Sequence, residues 1–322
     1  MRHKRHQSIA VGLLAAVAAA TASSRAEAFC RTTTCDTCPP PAVGCVTEGF
    51  PLFWPGGCVS YDLQKDASKW ASLDVATTLV DGAFNTWGSV SCDGQPPSIT
   101  FMNRGPIECA AREFNDGRKT EGGNANIIVF RDDVWPEVSD PASTLALTTV
   151  TYNRSNGQIV DADIEINGSQ SPLSTDDAAS ASAFDLASIL THEVGHFLGL
   201  AHSTEPCAAD GSDCPTMNAL YRRGSTAYRT LEGDDQAGLC AIYPAGRTVT
   251  DNRCLPQGGF SALCGTPAPP SGGCALAGGG AGAGGRASWA VMGGAMVLAS
   301  LVVRRRVRGA GGRRRSGTAR TR

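Results

Sequence analysis

Thr191-His192-Glu193-Val194-Gly195-His196-Phe197-Leu198-Gly199-Leu200-Ala201-His202 is the stretch on which the reading of this chain turns. Its pattern is H-E-x-x-H-x-x-G-x-x-H. On a helix, His192 and His196 lie four residues apart and stack on one face, so both imidazoles reach one metal ion. Glu193 stands beside them and can approach a water at the metal without ligating it. Gly199 has no Cβ and tolerates a left-handed backbone, which ends the helix in a sharp turn. That turn returns His202 as a third ligand. Three neutral imidazoles leave a fourth position open, the arrangement of a catalytic rather than a structural zinc. With five His and 38 Gly in 322 residues, a chance match is on the order of four in a million. The other two His, His3 and His6, stand at the extreme N-terminus. Zinc would lower the pKa of its water to about 7 and polarise a scissile carbonyl. Glu193 would take the water proton as general base and pass it to the leaving amine, help worth roughly 10²–10⁴-fold.

The flanking sequence supplies a scaffold. The helix around the motif is expected from Asp185 to Leu198, with Leu186, Ile189, Leu190, Val194 and Phe197 on its apolar side. Another is expected from Ser72 to Trp87, where Ala76, Leu79, Val80, Ala83, Phe84 and Trp87 form a helical stripe. A third is expected near Leu231–Ile242. Cys58–Leu63, Ser98–Phe101, Ala125–Phe130 and Leu145–Tyr152 are rich in β-formers. Ile159–Ile166 alternates strictly, with Asp161, Asp163 and Glu165 facing away from Val160, Ala162, Ile164 and Ile166. The order β-α-β-β-β-β-α-α predicts one α/β (α+β) domain built on a twisted sheet.

The two ends read as addresses. Residues 1–28 combine Arg2, Lys4 and Arg5, an apolar run from Ile9 to Ala20 and the small-residue exit Ala26-Glu27-Ala28. This is the pattern of a secretory signal peptide cut after Ala28. Near the other end, residues 287–303 carry no charge and span roughly 26 Å as a helix, the lower limit for crossing a membrane. Arg304, Arg305, Arg306 and Arg308 follow, so residues before 287 are expected outside the cytoplasm. Between the ends, residues 29–285 hold 14 Lys and Arg against 29 Asp and Glu. So acidic a body argues against nucleic acid as a partner. Residues 29–50 form a Cys- and Pro-rich segment, 51–246 the catalytic domain and 247–273 a Pro/Gly-rich linker.

Thirteen cysteines fit export. With Cys274 set aside, twelve suffice for six disulfides, and Cys207 and Cys214 bracket a short loop as one plausible pair. Cys35-x-x-Cys38 could mean zinc or redox chemistry, but export favours structural disulfides.

The long motif resembles the metzincin metallopeptidases, which also carry a methionine turn beneath the metal. Met217, 15 residues after His202, stands where that turn is expected. Ser203 after the third His, Trp54 with Tyr61, Ala83-Phe84-Asn85-Thr86-Trp87, Asn124–Phe130 and Leu231-Glu232-Gly233-Asp234-Asp235 resemble matrixins in particular. The resemblance covers roughly residues 51–245. It implies a zincin-like fold: a twisted five-stranded mixed sheet, three helices, zinc on the active-site helix and substrate along an edge strand. It also implies zinc held by His192, His196 and His202, Glu193 as the catalytic base, Gly199 and Met217 as structural groups at the site, and protein or peptide substrates. The Asp234–Asp235 pair would brace the methionine turn and the domain's N-terminal end. Asn218 replaces the tyrosine usual after the methionine, and Tyr221 is expected to replace it only in part as a pocket wall. The second, structural zinc of vertebrate matrixins is not expected, because Leu145-Ala146-Leu147 stands where one of its His ligands would be. Asp161, Asp163 and Glu165 could hold calcium through oxygen ligands, or be a solvated acidic face. Cys264-Gly265-Thr266-Pro267 is similar to the zinc-blocking Cys switch of matrixin pro-segments, but lies after the domain and reads as disulfide plus linker.

Residues 274–322 resemble the MYXO-CTERM sorting tail of myxobacterial surface proteins. That likeness implies lipidation or processing at Cys274, an initial membrane anchor, and export and C-terminal processing machinery as partners. A permanent one-span anchor is the other reading, and both put the body outside the cell. The function expected is a secreted or surface-attached zinc endopeptidase acting on extracellular proteins. The alternative is a surface binding protein that keeps the fold without turnover, against which the intact Glu193 and all three ligands speak.

Overall fold

The computed structural model describes residues 29–39, 41, 44–112, 114–115, 123–135, 143–178, 180–208, 214–249, 251–263, 296–297 and 302–307. In chain order the elements are β1 (Cys30–Arg31), β2 (Cys58–Gln64), α1 (Leu73–Gly88), β3 (Thr100–Ile107), β4 (Ile127–Phe130), β5 (Ala146–Asn153) and β6 (Ile159–Ile166). They continue with β7 (Leu173–Ser174), β8 (Phe184–Asp185), α2 (Leu186–Phe197), β9 (Leu200–Ala201), β10 (Leu220–Tyr221), α3 (Gly233–Ile242), β11 (Met296–Val297) and β12 (Val302–Val307).

The domain's sheet runs β3-β2-β4-β6-β5. Its strands are parallel except β5, which returns antiparallel to β6. This is the five-stranded mixed sheet with three helices that the sequence leads one to expect. β12 adds a sixth strand, parallel to β5 on its outer edge.

Helix α1 starts at Ser72, whose side chain accepts from the Val75 amide, the usual cap for a free first-turn donor. Ala76, Val80, Ala83, Phe84 and Trp87 form its buried stripe. This stripe packs on α2, and Trp87 Nε1 donates to the Thr191 carbonyl at 2.8 Å. Helix α2 is capped by Asp185, which accepts from the Ser188 amide and pairs with Arg229. Between the helices and one sheet face lies the main core, including Tyr61, Phe84, Ile128, Val150, Ile164, Ile189 and Phe197.

The opposite sheet face departs from expectation. Asp161, Asp163 and Glu165 are buried, not solvated. Glu165 pairs with Arg131 and Arg112, at 2.6 and 3.0 Å, and Asp163 accepts from the Ile127 amide at 3.0 Å. Their acidity serves that layer; among the described residues these three do not converge as metal ligands. The reason is a second layer over this face, where Ile107, Cys109, Ala125, Ile127 and Val129 gather with Phe260 and Ala262.

The start of the stretch expected to be a linker belongs to this layer. Cys58 is bonded to Cys254, Arg247 donates to the carbonyls of Trp54 and Gly56, and Phe260 bridges to Asn124. Composition rich in Pro and Gly gives no sign of a disulfide 196 residues long in sequence. Further pairs are Cys30–Cys45, Cys35–Cys38, Cys92–Cys240 and the expected Cys207–Cys214, and Cys109 is disulfide-bonded as well. The C-x-x-C is therefore a disulfide.

The signal segment, Cys264–Pro267, Cys274 and most of 287–303 lie outside the described residues. Where the expected membrane helix is described, at Met296–Val297 and from Val302, the backbone is extended rather than helical. No helix among the described residues is long and apolar enough to cross a membrane.

Candidate metal centre

His192 and His196 sit in the middle and at the end of α2, both buried. After α2, Gly199 takes φ +99°, and a Cβ there would lie 2.7 Å from the Leu52 carbonyl oxygen. Both facts require glycine. The turn carries β9 back beneath the helix and brings His202 to the other two. The three side chains offer ligand atoms within 4.8 Å of one another, the one such group among the described residues.

The hydrogen bonds settle which nitrogens face the centre. His192 Nδ1 lies 2.6 Å from the Thr216 carbonyl, and His196 Nδ1 lies 2.9 Å from the Leu200 carbonyl. A carbonyl only accepts, so each Nδ1 carries the hydrogen and each Nε2 presents a lone pair. Those two Nε2 atoms are 3.1 Å apart, and His202 Nε2 has no hydrogen-bond partner. Converging lone pairs with no hydrogen between them repel unless a cation sits among them. Burial, reinforced by the neighbouring imidazoles, holds His192 and His196 far below the usual histidine pKa, His196 at about 3; burial takes His202 to about 4. The rings are neutral, as metal ligands must be. The donor set fits zinc.

Glu193 is fully buried beside them. Its Oε2 accepts from the Thr148 hydroxyl at 2.6 Å, while Oε1 has no partner. Burial pushes this carboxyl up to about 8, against the pull of Thr148. One oxygen is thus fixed and the other left available. Thr148 was not singled out from the sequence. The signal was there: on β5, Ala146, Val150 and Tyr152 line the main core, and Thr148 is the polar residue on that same inward face. Replacing Thr148 with valine is expected to keep zinc and fold but lower kcat/KM by about 10–100-fold, the usual cost of losing such a supporting bond. Steady-state kinetics with zinc content measured alongside would check it.

Met217 is buried below the centre. A Cβ on Gly195 would lie 2.2 Å from its Sδ and 2.8 Å from the Trp87 ring. The glycine inside the motif therefore makes room for the methionine, a role not read from the sequence. Asp235 fixes this turn, accepting from the amides of Thr216 at 2.7 Å, Met217 at 3.0 Å and Glu232 at 2.9 Å. Thr216 in turn orients His192. Asp234 does something else than expected: it accepts from the Ser203 hydroxyl, at 2.5 Å, just after the third histidine. Asp235→Ala would strand three amides, each costing about 1–3 kcal/mol when buried. We expect a loss of roughly 3 kcal/mol or more in denaturant unfolding, with weakened zinc retention.

A matrixin family model matches residues 53–244, well over half of the chain. The chain belongs to the matrixin family. It is accordingly a zinc metalloendopeptidase, and the converging imidazoles fit a zinc site. The matched span runs from just before β2 to just after α3, so the matrixin domain contains the whole five-stranded sheet and all three helices. Tyr221 is buried, donates to the Ser225 carbonyl, and lines a cavity of about 610 Å³ with Asn218 and Tyr228. The ring of Tyr228, one of the lining residues, lies 6.3 Å from that of His192.

Proposed function

We propose that this matrixin is an exported, surface-attached endopeptidase that hydrolyses extracellular proteins, with His192, His196 and His202 as zinc ligands and Glu193 as general base. The observation that carries the reading is the pairing of three converging lone pairs with one unpartnered carboxylate oxygen at the same place. When bound, zinc supplies a Lewis acid for the scissile carbonyl and acidifies the attacking water. The charge of a bound cation would favour the ionised form of the Glu193 carboxyl that burial disfavours, and Oε1 would then receive the water proton, since Oε2 is occupied by Thr148. The same carboxyl then delivers that proton to the departing amine nitrogen. Thr216 and Leu200 keep the first two imidazoles in one tautomer throughout.

Export is supported by the disulfides, which persist in oxidising compartments, and by the signal pattern of residues 1–28. Anchoring, with lipidation or cleavage at Cys274, rests on the tail's likeness to sorting tails. Cell fractionation with the intact gene product tests it: protein in the outer envelope or medium supports the reading, and protein confined to the cytoplasm contradicts it. Cleavage of a quenched fluorescent peptide library, abolished by a chelator, tests the catalytic part.

The pairing of β12 with β5 has its own consequence. A substrate strand on the β5 edge would compete with a tethered strand, whose effective concentration is near millimolar. A chain ending at residue 273 is expected to cleave peptides roughly tenfold faster than the full chain. Equal rates would show that the tail does not compete.

A further inference from the structure

Residues 29–50 precede the span matched to the family, yet they are built into the edge of the metal centre. β1 pairs antiparallel with β9, Cys30 opposite Ala201 and Arg31 opposite Leu200. Thr32 adds an amide bond to the Gly199 carbonyl at 2.9 Å and a hydroxyl bond to the Leu200 carbonyl at 3.0 Å. The segment is therefore clamped to the residues that join Gly199 to His202. It is also tied to the end of β5, through Tyr152 Oη donating to the Thr34 carbonyl and through the Arg154–Asp36 ion pair. Cys30–Cys45 and Cys35–Cys38 hold it closed on itself.

Between this segment and the zinc ligands lies a cavity of about 420 Å³, where Thr33, Cys35, Asp36 and Val46 share the lining with His196 and His202. The size suits peptide side chains. Of its charged groups, Asp36 is paired with Arg154, while the Arg31 guanidinium donates to the Leu52 carbonyl and leaves Nε without a partner. The rest of the segment's contribution is disulfide sulfur, threonine and aliphatic surface. The cavity at Tyr221 is separate, sharing none of these residues.

We propose that the 29–50 segment is a specificity wall that receives side chains of the substrate on one side of the scissile bond. Val46 and the Cys35–Cys38 loop are its selecting groups. The inference rests on the peptidase reading and adds the part of the chain that chooses the substrate on that side.

The test is a cleavage profile of the full-length chain on a fluorogenic peptide library, compared with Val46→Glu, Val46→Lys and the double variant Cys35→Ser with Cys38→Ser. Val46 is only half-buried, so a charge there does not load the core. Val46→Glu is expected to admit basic and reject acidic residues by roughly tenfold, and Val46→Lys to do the reverse. The double Cys variant is expected to relax selection at the same positions. All three effects should fall on one side of the cut, with the other side unchanged and zinc content equal to wild type. Active wild type with an unaltered profile in all three variants would overturn the wall alone. Changes spread evenly over both sides would overturn it too. A zinc-loaded wild type that cleaves nothing would overturn the peptidase reading and this inference with it.

Discussion

Glu193→Ala is expected to give a folded, zinc-loaded protein with turnover lower by roughly 10²–10⁴-fold. The Glu193 side chain bonds only to Thr148, so its removal leaves the three imidazoles and their carbonyl partners in place. It also removes a buried carboxyl that burial disfavours, so stability should not fall much, although the Thr148 hydroxyl loses its acceptor. The loss should appear in kcat and kcat/KM together, because the interaction is made as the proton moves, not when substrate binds. Zinc content, far-UV circular dichroism and steady-state rates on one preparation would separate this outcome from misfolding. Near-wild-type turnover would remove Glu193 from its role.

His202→Ala is expected to do something different: lose the zinc and the activity together while the domain remains folded. His202 sits outside α2, on the returning chain after Gly199, and makes no hydrogen bond through Nε2. Supporting residues around a metal typically account for 10–100-fold in affinity, so removing a ligand itself should cost more than about 100-fold. The fold should survive because it does not depend on metal for a core. The packed cluster around Phe84 and Phe197, with long-range disulfides such as Cys92–Cys240, is independent of the three imidazoles. Zinc titration of the apo protein, with thermal unfolding in parallel, would measure both. Zinc retained at wild-type affinity would mean that His202 is not a ligand.

Much of this was legible in the chain itself, and the reasons differ by element. The spacing of His192, His196, Gly199 and His202 dictates geometry directly, because a helix and one glycine turn leave few other ways to use them. Ile159–Ile166 was read to the residue, since a period of two leaves no doubt about register. β3 was not: the sequence pointed to Ser98–Phe101, whereas the strand runs Thr100–Ile107. It is an edge strand with a Gly and a Pro inside it, so the hydrophobic signal is weak. The burial of Asp161, Asp163 and Glu165 was hidden because alternation says which residues share a face, not what covers it. The covering layer comes from segments around Cys109 and Phe260, distant in sequence. Thr148, Thr216 and Gly195 were missed for a related reason. Each acts through one or two neighbours in or around the centre, and a single threonine or glycine carries no pattern of its own.

In the function proposed, three neutral imidazoles hold one zinc next to a carboxyl that takes a proton. Its most direct test measures zinc and peptide cleavage on the same sample, before chelation, after it and after zinc is restored. We expect one zinc per chain, with turnover that disappears with the metal and returns with it. A folded protein that binds no zinc, or cleaves peptides equally well without it, would contradict the account.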